Sequence, residues 1–196
     1  MKKTVFILTC LALVVLSGCL RSAPTKFYLL HSLENPAAQN ASTRQIVLGV
    51  GPVELPDYLN RPQIAGRVTA NELGFSEYSR WAEPLERCVM RVLAENMSLL
   101  LGTERIELYP WRPSLPIDYQ VRVRIARFDG TAGDAVMLIA YWSICGKDGA
   151  AGLLDRKAVI SEKADGGGVE GIVQAQNRAL ETLSREIAAA LEKIAH

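Results

Sequence analysis

Cysteine and histidine are the side chains of this sequence whose chemistry is most diagnostic, and both are scarce. They are Cys10, Cys19, Cys88, Cys145, His31 and His196. No Cys-x-x-Cys pair occurs, so a zinc site would need widely separated residues to converge, and we expect no metal site. Motifs for a serine nucleophile or a phosphate-binding loop are absent as well. The sequence offers no recognisable catalytic residues, so we expect a protein that is not an enzyme and needs no cofactor.

Cys19 stands at the end of a leader-like segment. Lys2 and Lys3 precede an apolar stretch, Val5 to Leu16, that is too short for a bilayer-spanning helix of ~20 residues. The run LSGC that ends at Cys19 matches the bacterial lipobox, in which small residues admit the peptidase and the cysteine thiolate is the nucleophile. The match implies cleavage before Cys19 and a covalent lipid on its sulfur and new amine, and two or more acyl chains anchor a protein stably. A short uncleaved anchor is the alternative.

The leader, residues 1–18, is therefore left out of the fold. We expect a lipidated tether at residues 19–26 and a single periplasmic domain at residues 27–196. Residue 20 is Leu rather than the Asp that keeps lipoproteins at the inner membrane of enteric bacteria, so we expect the periplasmic side of the outer membrane. The chain from Cys19 to Phe27 reaches at most about 25–30 Å. Bridging the periplasm would therefore need a partner.

Composition and charge exclude other classes of protein. The chain has 49% apolar residues and 22 Lys and Arg against 21 Asp and Glu, so it is neither disordered nor strongly basic. Loss of Lys2 and Lys3 with the leader changes the net charge from +1 to −1. We expect no nucleic-acid partner, because a sequence-independent binder needs a basic surface. Cys88 and Cys145 remain, either as a disulfide or as two buried free thiols.

Hydrophobic periodicity predicts an α+β domain, with a mostly antiparallel sheet and two main helices packed on it. Pro84–Leu101 and Val169–Ile194 have apolar residues at three- and four-residue spacing and are predicted to be helices. Ile117–Phe128 alternates between apolar and polar residues, as a half-buried strand does. A hairpin is predicted for residues 63–80 around Asn71 and Glu72. Further strands are predicted at 26–33, 45–55, 105–109, 135–145 and 153–162.

The glycine-rich run at residues 166–171 formally satisfies G-x-G-x-x-G, immediately before the second helix. A dinucleotide site also needs a following strand that ends in an acidic residue. The 25 residues after Gly171 are all predicted to continue the helix. We therefore interpret the glycines as a turn.

Two predicted strands allow more than one interpretation. Arg122 and Arg124 lie on the polar face of the strand at 117–128, where they form a solvated face or, less commonly, a phosphate site. The strand at 135–145 is apolar on both faces, so both must be covered. Either the protein's own core covers both, or one face, with Trp142 or Tyr141, meets another subunit.

Two motifs carry a family resemblance. Tyr58–Ile64 (YLNRPQI) resembles the Tyr-Leu-[Asp/Asn]-Arg-Pro-Gln segment of the PqiC/YmbA family of ABC-transport auxiliary lipoproteins. Arg80–Leu85 (RWAEPL) is similar to the segment that precedes the first helix of that family. Phe27–Leu30 (FYLL) and Tyr109-Pro110 also fit, so the resemblance spans nearly the whole mature chain.

The resemblance implies an outer-membrane lipoprotein that works beside an MCE-domain protein of the PqiB type in moving lipid between two membranes. It also implies an α+β sandwich and a ring-like homo-oligomer. No catalytic residues come with the family, and Cys19 alone carries over with a defined role. The motif positions without an assigned role are Tyr58, Leu59, Arg61, Pro62, Arg80, Trp81 and Pro84. They either set a proline turn and a helix start or contact a partner.

Two rival functions remain at this stage. One is an activator or chaperone of an envelope enzyme such as a peptidoglycan synthase. The other is a small hydrolase, which would require a deep polar cleft with paired carboxylates.

Overall fold

The order of helices and strands follows the predicted one. The computed structural model describes residues 23–33, 46–112, 114–147, 149 and 152–195, so the leader and Cys19 lie outside the described residues. The strands are β1 (Lys26–Tyr28), β2 (Leu48–Glu54), β3 (Gln63–Arg67), β4 (Leu73–Trp81), β5 (Ile106–Leu108), β6 (Tyr119–Gly130), β7 (Ala135–Cys145) and β8 (Gly152–Lys163). The helices are α1 (Leu85–Leu101) and α2 (Gly168–Ile194), and a 3-10 turn occupies Asp57–Leu59.

The strands form two sheets, both of mixed direction. The larger has the order β5-β2-β6-β7-β8, and the smaller has the order β1-β4-β3. Neighbouring strands are antiparallel in the hairpins β3-β4, β6-β7 and β7-β8, whereas β1-β4, β2-β5 and β2-β6 are parallel. The predicted α+β class, two helices and single domain are confirmed. The larger sheet is less antiparallel than expected. The chain between β2 and β5 contains α1 and returns as a crossover connection, which makes these two strands parallel.

The two helices pack on one face of the larger sheet. α1 begins after Pro84 and ends at Gly102, whose φ of 63° gives the left-handed conformation of a C-terminal cap. Its apolar stripe includes Val89, Val92 and Leu93, all at most 1% exposed. The stripe of α2 includes Leu180, Leu183 and Ile187, which are fully buried. Burying both stripes against the sheet makes one continuous core.

The glycines at 166–171 are the turn that starts α2. Gly168 has a φ of 74°, which is favourable only for glycine. A Cβ at Gly171 would lie 2.5 Å from the carbonyl oxygen of Asp165, so the helix packs closely on this turn. The chain continues as α2 to Ile194, with no following strand among the described residues.

β7 begins and ends at the predicted residues, and its two faces differ. Val136, Leu138 and Ala140 are fully buried, and Trp142 on the same face is 5% exposed. The opposite face carries Tyr141, which is 38% exposed. The helices cover only the first face, so Trp142 belongs to the core and Tyr141 does not.

The segment that follows β1 joins both helices. The backbone N–H of Leu30 lies 3.2 Å from the Cys88 sulfur, and the N–H of Leu33 donates to Asn96 Oδ1 at 2.9 Å, both on α1. The N–H of His31 donates to Asn177 Oδ1 on α2 at 3.1 Å. The strand predicted over 26–33 is therefore short, because its second half uses helix side chains in place of a neighbouring strand.

Candidate functional site

The two sequence motifs meet at one cavity, although they lie about twenty residues apart in the chain. The cavity has a volume of about 330 Å³. Its lining residues are Asn60, Arg61, Pro62, Trp81, Ala82, Glu83, Pro84 and Leu85. We call this the motif cavity.

The first motif forms the tight turn that brings the chain to the cavity. The N–H of Leu59 donates to the carbonyl of Pro56 at 2.9 Å, and the N–H of Asn60 donates to the carbonyl of Asp57 at 3.1 Å. Leu59 is 3% exposed and anchors the turn in the core. Pro62 follows and immediately precedes β3, where its fixed φ suits the entry to a strand.

The second motif joins β4 to α1 on the opposite side of the cavity. The N–H of Trp81 donates to the carbonyl of Pro62 at 2.8 Å, so the two motifs are hydrogen-bonded to each other. The N–H of Ala82 donates to the carbonyl of Tyr28 at 2.9 Å. Trp81 and Leu85 are 6% and 3% exposed, and they provide the apolar floor. Pro84 is the N-cap of α1, so the helix begins one residue later than predicted.

Charged side chains hold the rim of the cavity. Arg91 on α1 binds Glu83 at 3.0 Å and Glu95 at 3.2 Å, and it also donates to the carbonyl of Leu30 at 3.0 Å. Burial alone would lower the pKa of Arg91, but its hydrogen bonds to Glu83 and Glu95 raise it above the usual value. Glu83 is therefore held beside the opening.

Arg61 stacks on Phe75 on the other part of the rim. The guanidinium carbon lies 4.2 Å from the ring centre, within the range of a cation–π contact. Phe75 is 38% exposed, so the pair presents an apolar ring and a cation beside the cavity.

Arg80 lies on the face of β4 that is opposite to Trp81. Its paired residue on the neighbouring strand β1 is Phe27. Phe27 is 67% exposed, and Tyr78, two residues before Arg80 on that face, is 39% exposed. We call Phe27, Tyr78 and Arg80 the β1-β4 patch. It is an exposed, largely apolar surface that begins next to the second motif.

Tyr58 points away from the cavity into a buried charge network. Its hydroxyl donates to Asp129 Oδ2 at 2.6 Å. Arg67 binds both oxygens of Asp129 at 2.6 and 3.0 Å, and Arg127 lies 3.1 Å from Oδ1. Asp129 is fully buried, so this network joins the first motif and β3 to the end of β6.

The network fixes the ionisation of its members. Burial alone would raise the pKa of Asp129, but the hydrogen bonds from Arg67 and Tyr58 and the charge of Arg127 hold it below the usual value. Burial and the hydrogen bond to Asp129 hold the pKa of Tyr58 well above its usual value. Asp129 is therefore a paired carboxylate at neutral pH, and it has no free oxygen to act as a base.

Cys88 and Cys145 are buried free thiols, so the structure does not adopt the disulfide that the sequence left open. Cys88 lies in the first turn of α1, where its sulfur accepts from the N–H of Leu30. Burial raises the pKa of the Cys88 thiol to about 11, which makes it a poor nucleophile. Cys145 ends β7, opposite Gly152 of β8.

No catalytic arrangement is apparent among the described residues. His31 is exposed, and its ring Nδ1 lies 3.1 Å from the neighbouring carbonyl of Ser32, to which it can only donate. The described part of the chain contains no group of three His, Cys, Asp or Glu that could hold a metal ion. Within the same residues, no helix has the length and apolar character needed to cross a membrane.

Sequence reasoning singled out the motif residues but missed Asp129, Arg67 and Arg91. Asp129 sits in an ordinary strand sequence, and its partners Arg67 and Tyr58 lie 62 and 71 positions away, so no local pattern marks the network. Arg91 is one of several charged residues on α1, and its link to Leu30 depends on the tertiary fold.

Comparison with known proteins agrees with this picture. The family model described as "ABC-type transport auxiliary lipoprotein component" matches residues 28–188. No curated protein matches the chain.

Solved structures share the fold. One, described as an uncharacterized protein, has a TM-score of 0.71 at 18% identity and covers 86% of this chain and 99% of its own. Protein XCC0632 from Xanthomonas campestris, of the DUF330 family model, has a TM-score of 0.66 at 16% identity, with 83% and 92% covered. A putative lipoprotein from Caulobacter crescentus CB15 is more distant, with a TM-score of 0.38 at 15% identity and 53% and 80% covered.

Proposed function

The chain belongs to the family of ABC-type transport auxiliary lipoprotein components, and we propose that it is the non-catalytic docking subunit of an intermembrane lipid-transport system. Membership makes it an auxiliary lipoprotein of an ABC-type system, anchored at a membrane of the cell envelope. The proposal adds a partner, a membrane and a surface to that statement.

The convergence of the two motifs on one cavity is the observation that carries the proposal. The cavity has an apolar floor, a charged rim and an exposed aromatic ring beside it. Such a combination suits an apolar side chain of a protein partner, held by a polar rim. The Cys88 thiol, which is hydrogen-bonded to Glu83, is buried, and its pKa is raised to about 11, so binding rather than catalysis fits the site.

The partner in this proposal is an MCE-domain protein of the PqiB type, and the membrane is the outer membrane, seen from the periplasm. The tether at residues 19–26 can reach only about 25–30 Å, so the domain stays beside the membrane that holds its lipid. A docking subunit with so short a tether receives a channel that a partner brings across the periplasm. ATP hydrolysis then belongs to another subunit.

Assembly with further copies of the chain is part of the proposal. The β1-β4 patch supports it, because Phe27 and Tyr78 expose apolar surface that a second copy would cover. The Tyr141 face of β7, which the sequence suggested for this role, is less suitable because Arg122 and Arg124 flank it.

The lipid on Cys19 is the covalent part of the proposal. Mass spectrometry of the N-terminal peptide from protein made in its native host is expected to give Cys19 as residue one, with a diacylglyceryl thioether and an acylated amine. An unmodified Cys19, or a leader that is still attached, would contradict the anchoring.

Purification of the full-length lipoprotein from crosslinked cells tests the function. Recovery of an MCE-domain protein supports the proposal. Recovery of a peptidoglycan synthase without any MCE-domain protein would favour an activator of an envelope enzyme instead. Arg61→Glu at the cavity rim is expected to reduce the recovery several-fold, whereas Lys193→Glu, near the end of α2, makes the same charge change away from the cavity and leaves it unchanged.

A further inference from the structure

The uncovered face of the larger sheet carries a cluster of cations that the docking role does not use. Across β6, β7 and β8, one row of this face holds Arg124, Tyr141 and Lys157, and the adjacent row holds Arg122, Ser143 and Asp155. These rows line a shallow concavity of about 510 Å³. We call this surface the open face.

Within the residues that the structure describes, the cations of the open face have no acidic partner at ion-pair distance. Within the described part of the chain, none of the ion pairs involves Arg122, Arg124 or Lys157. Among the described residues, the partners of Arg122 are neutral oxygens, Gln120 Oε1 at 3.2 Å and the carbonyl of Gly149 at 3.1 Å. Glu54 and Asp155 also line the concavity, and Glu54 is the neighbour of Arg124 on β2. Alternation of side chains places Arg156, the neighbour of Trp142, on the covered face, so three cations of the open face stand beside two carboxylates. The concavity therefore favours an anion.

Two of these cations contact Tyr141 from the strands on either side of it. The guanidinium carbon of Arg124 lies 4.3 Å from the ring centre, and Lys157 Nζ lies 5.7 Å from it. Stacking on a ring orients the flat guanidinium and leaves its N–H edges free to donate. A phosphate can accept two parallel hydrogen bonds from such an edge.

The next row of the open face is apolar on β7 and β8. Ile139 of β7 faces Val159 of β8, and Val159 is 59% exposed. Arg127, the β6 member of that row, is already bound to Asp129 at 3.1 Å. Because residues two apart on a strand are separated by about 7 Å, an apolar surface lies one such step from the cations.

We propose that the open face binds the headgroup end of a single anionic phospholipid. The phosphate would lie between Arg124 and Lys157, and the first carbons of the acyl chains would lie over Ile139 and Val159. A second copy of the chain is a poorer occupant, because interface cores are depleted of charged residues and a symmetric contact would bring the same cations together. This inference concerns a surface separate from the motif cavity and does not depend on the MCE partner.

Titration of the full chain, held in a neutral detergent, with a short-chain phospholipid tests the proposal. Calorimetry with dihexanoylphosphatidylglycerol is expected to give one bound molecule per chain. The double variant R124Q/K157Q is expected to weaken this binding by at least about tenfold, since two charge-assisted hydrogen bonds are lost. The control R185Q/K193Q removes the same charge from α2 and leaves binding unchanged. Val159→Ser is expected to weaken binding of the lipid and not of inorganic phosphate.

Other outcomes overturn the proposal. Inorganic phosphate or dihexanoylphosphatidylcholine that binds as tightly as the anionic lipid would leave no role for the combined charge and apolar surface. Equal loss of binding in both double variants would indicate non-specific attraction. A change of molecular mass in R124Q/K157Q, measured by light scattering on protein with an unchanged circular-dichroism melting curve, would identify the open face as a contact between copies. Absence of binding to the native chain would likewise refute it, and none of these results touches the docking proposal.

Discussion

The hydroxyl of Tyr58 donates to the buried carboxylate of Asp129 at 2.6 Å, and this bond joins a motif residue to a strand 71 positions later. Arg67 binds the same carboxylate from β3. The turn that carries Arg61 and Pro62 is therefore fixed to the end of β6 in the larger sheet. A rigid turn is what a docking cavity requires, because a preorganised site loses less entropy on binding.

Replacing Asp129 with Asn should destabilise the domain. The change leaves Arg67 and Arg127 without their carboxylate, and breaking a buried ion pair by removing one partner costs about 3–5 kcal/mol. Arg67 is 20% exposed, so we expect about 3 kcal/mol, near the lower limit. Urea unfolding of protein that begins at residue 20 measures it.

The matched control is Glu181→Gln, which breaks the exposed pair with Arg185 on α2. An exposed pair of this kind contributes at most about 1 kcal/mol. Equal loss of stability in the two variants would show that the Asp129 network is not structural.

The same network predicts how stability depends on pH. The pKa of Asp129 is lowered in the folded protein, so its contribution is present above the unfolded pKa of about 3.9 and is lost as the pH falls through the folded value. The free energy of unfolding should therefore fall as the pH is lowered from about 5 to below 3. In Asp129→Asn this part of the fall should be missing, and parallel pH profiles of the two proteins would contradict the account.

The two cysteines should both titrate as thiols. Protein that begins at residue 20 contains only Cys88 and Cys145, and both are free and buried. Two reactive thiols are expected after unfolding without a reductant, whereas none would indicate a disulfide. In the folded protein Cys88 should react slowly even at pH 8, because its pKa is about 11.

Soluble protein that begins at residue 20 should form an assembly larger than a monomer in light scattering. The double variant F27S/Y78S should lower the measured mass, since it removes the apolar side chains of the β1-β4 patch. Lys193→Gln is a control that should not. A clean monomer of the native sequence at high concentration, unchanged in detergent, would count against assembly.

Local patterns were sufficient to predict most of the helices and strands. β7 was predicted with its observed ends because its apolar run is bounded by glycine-containing turns, and α1 because Pro84 and Gly102 mark its limits. Sequence could not decide which face of β7 is covered, since apolar residues occur on both. The packing of the helices decides it, because they lie on the Trp142 side.

The motif cavity shows the limit of sequence reasoning more clearly. The residues were identified, but their meeting depends on the hydrogen bond from Trp81 to Pro62, which an irregular β3-β4 register produces. Alternation of side chains does not specify such an irregularity. For the same reason, the rim contacts of Arg61 and Arg91 were not predicted.

The central claim is that the two motifs form a docking cavity, and photo-crosslinking in cells tests it most directly. A photoreactive amino acid at Arg61 or Ala82, in the full-length lipoprotein, should crosslink to an MCE-domain protein, and the same amino acid at Lys193 should not. Mass spectrometry identifies the crosslinked protein. No crosslink to an MCE-domain protein from either cavity position, or one equally strong from Lys193, would contradict the claim.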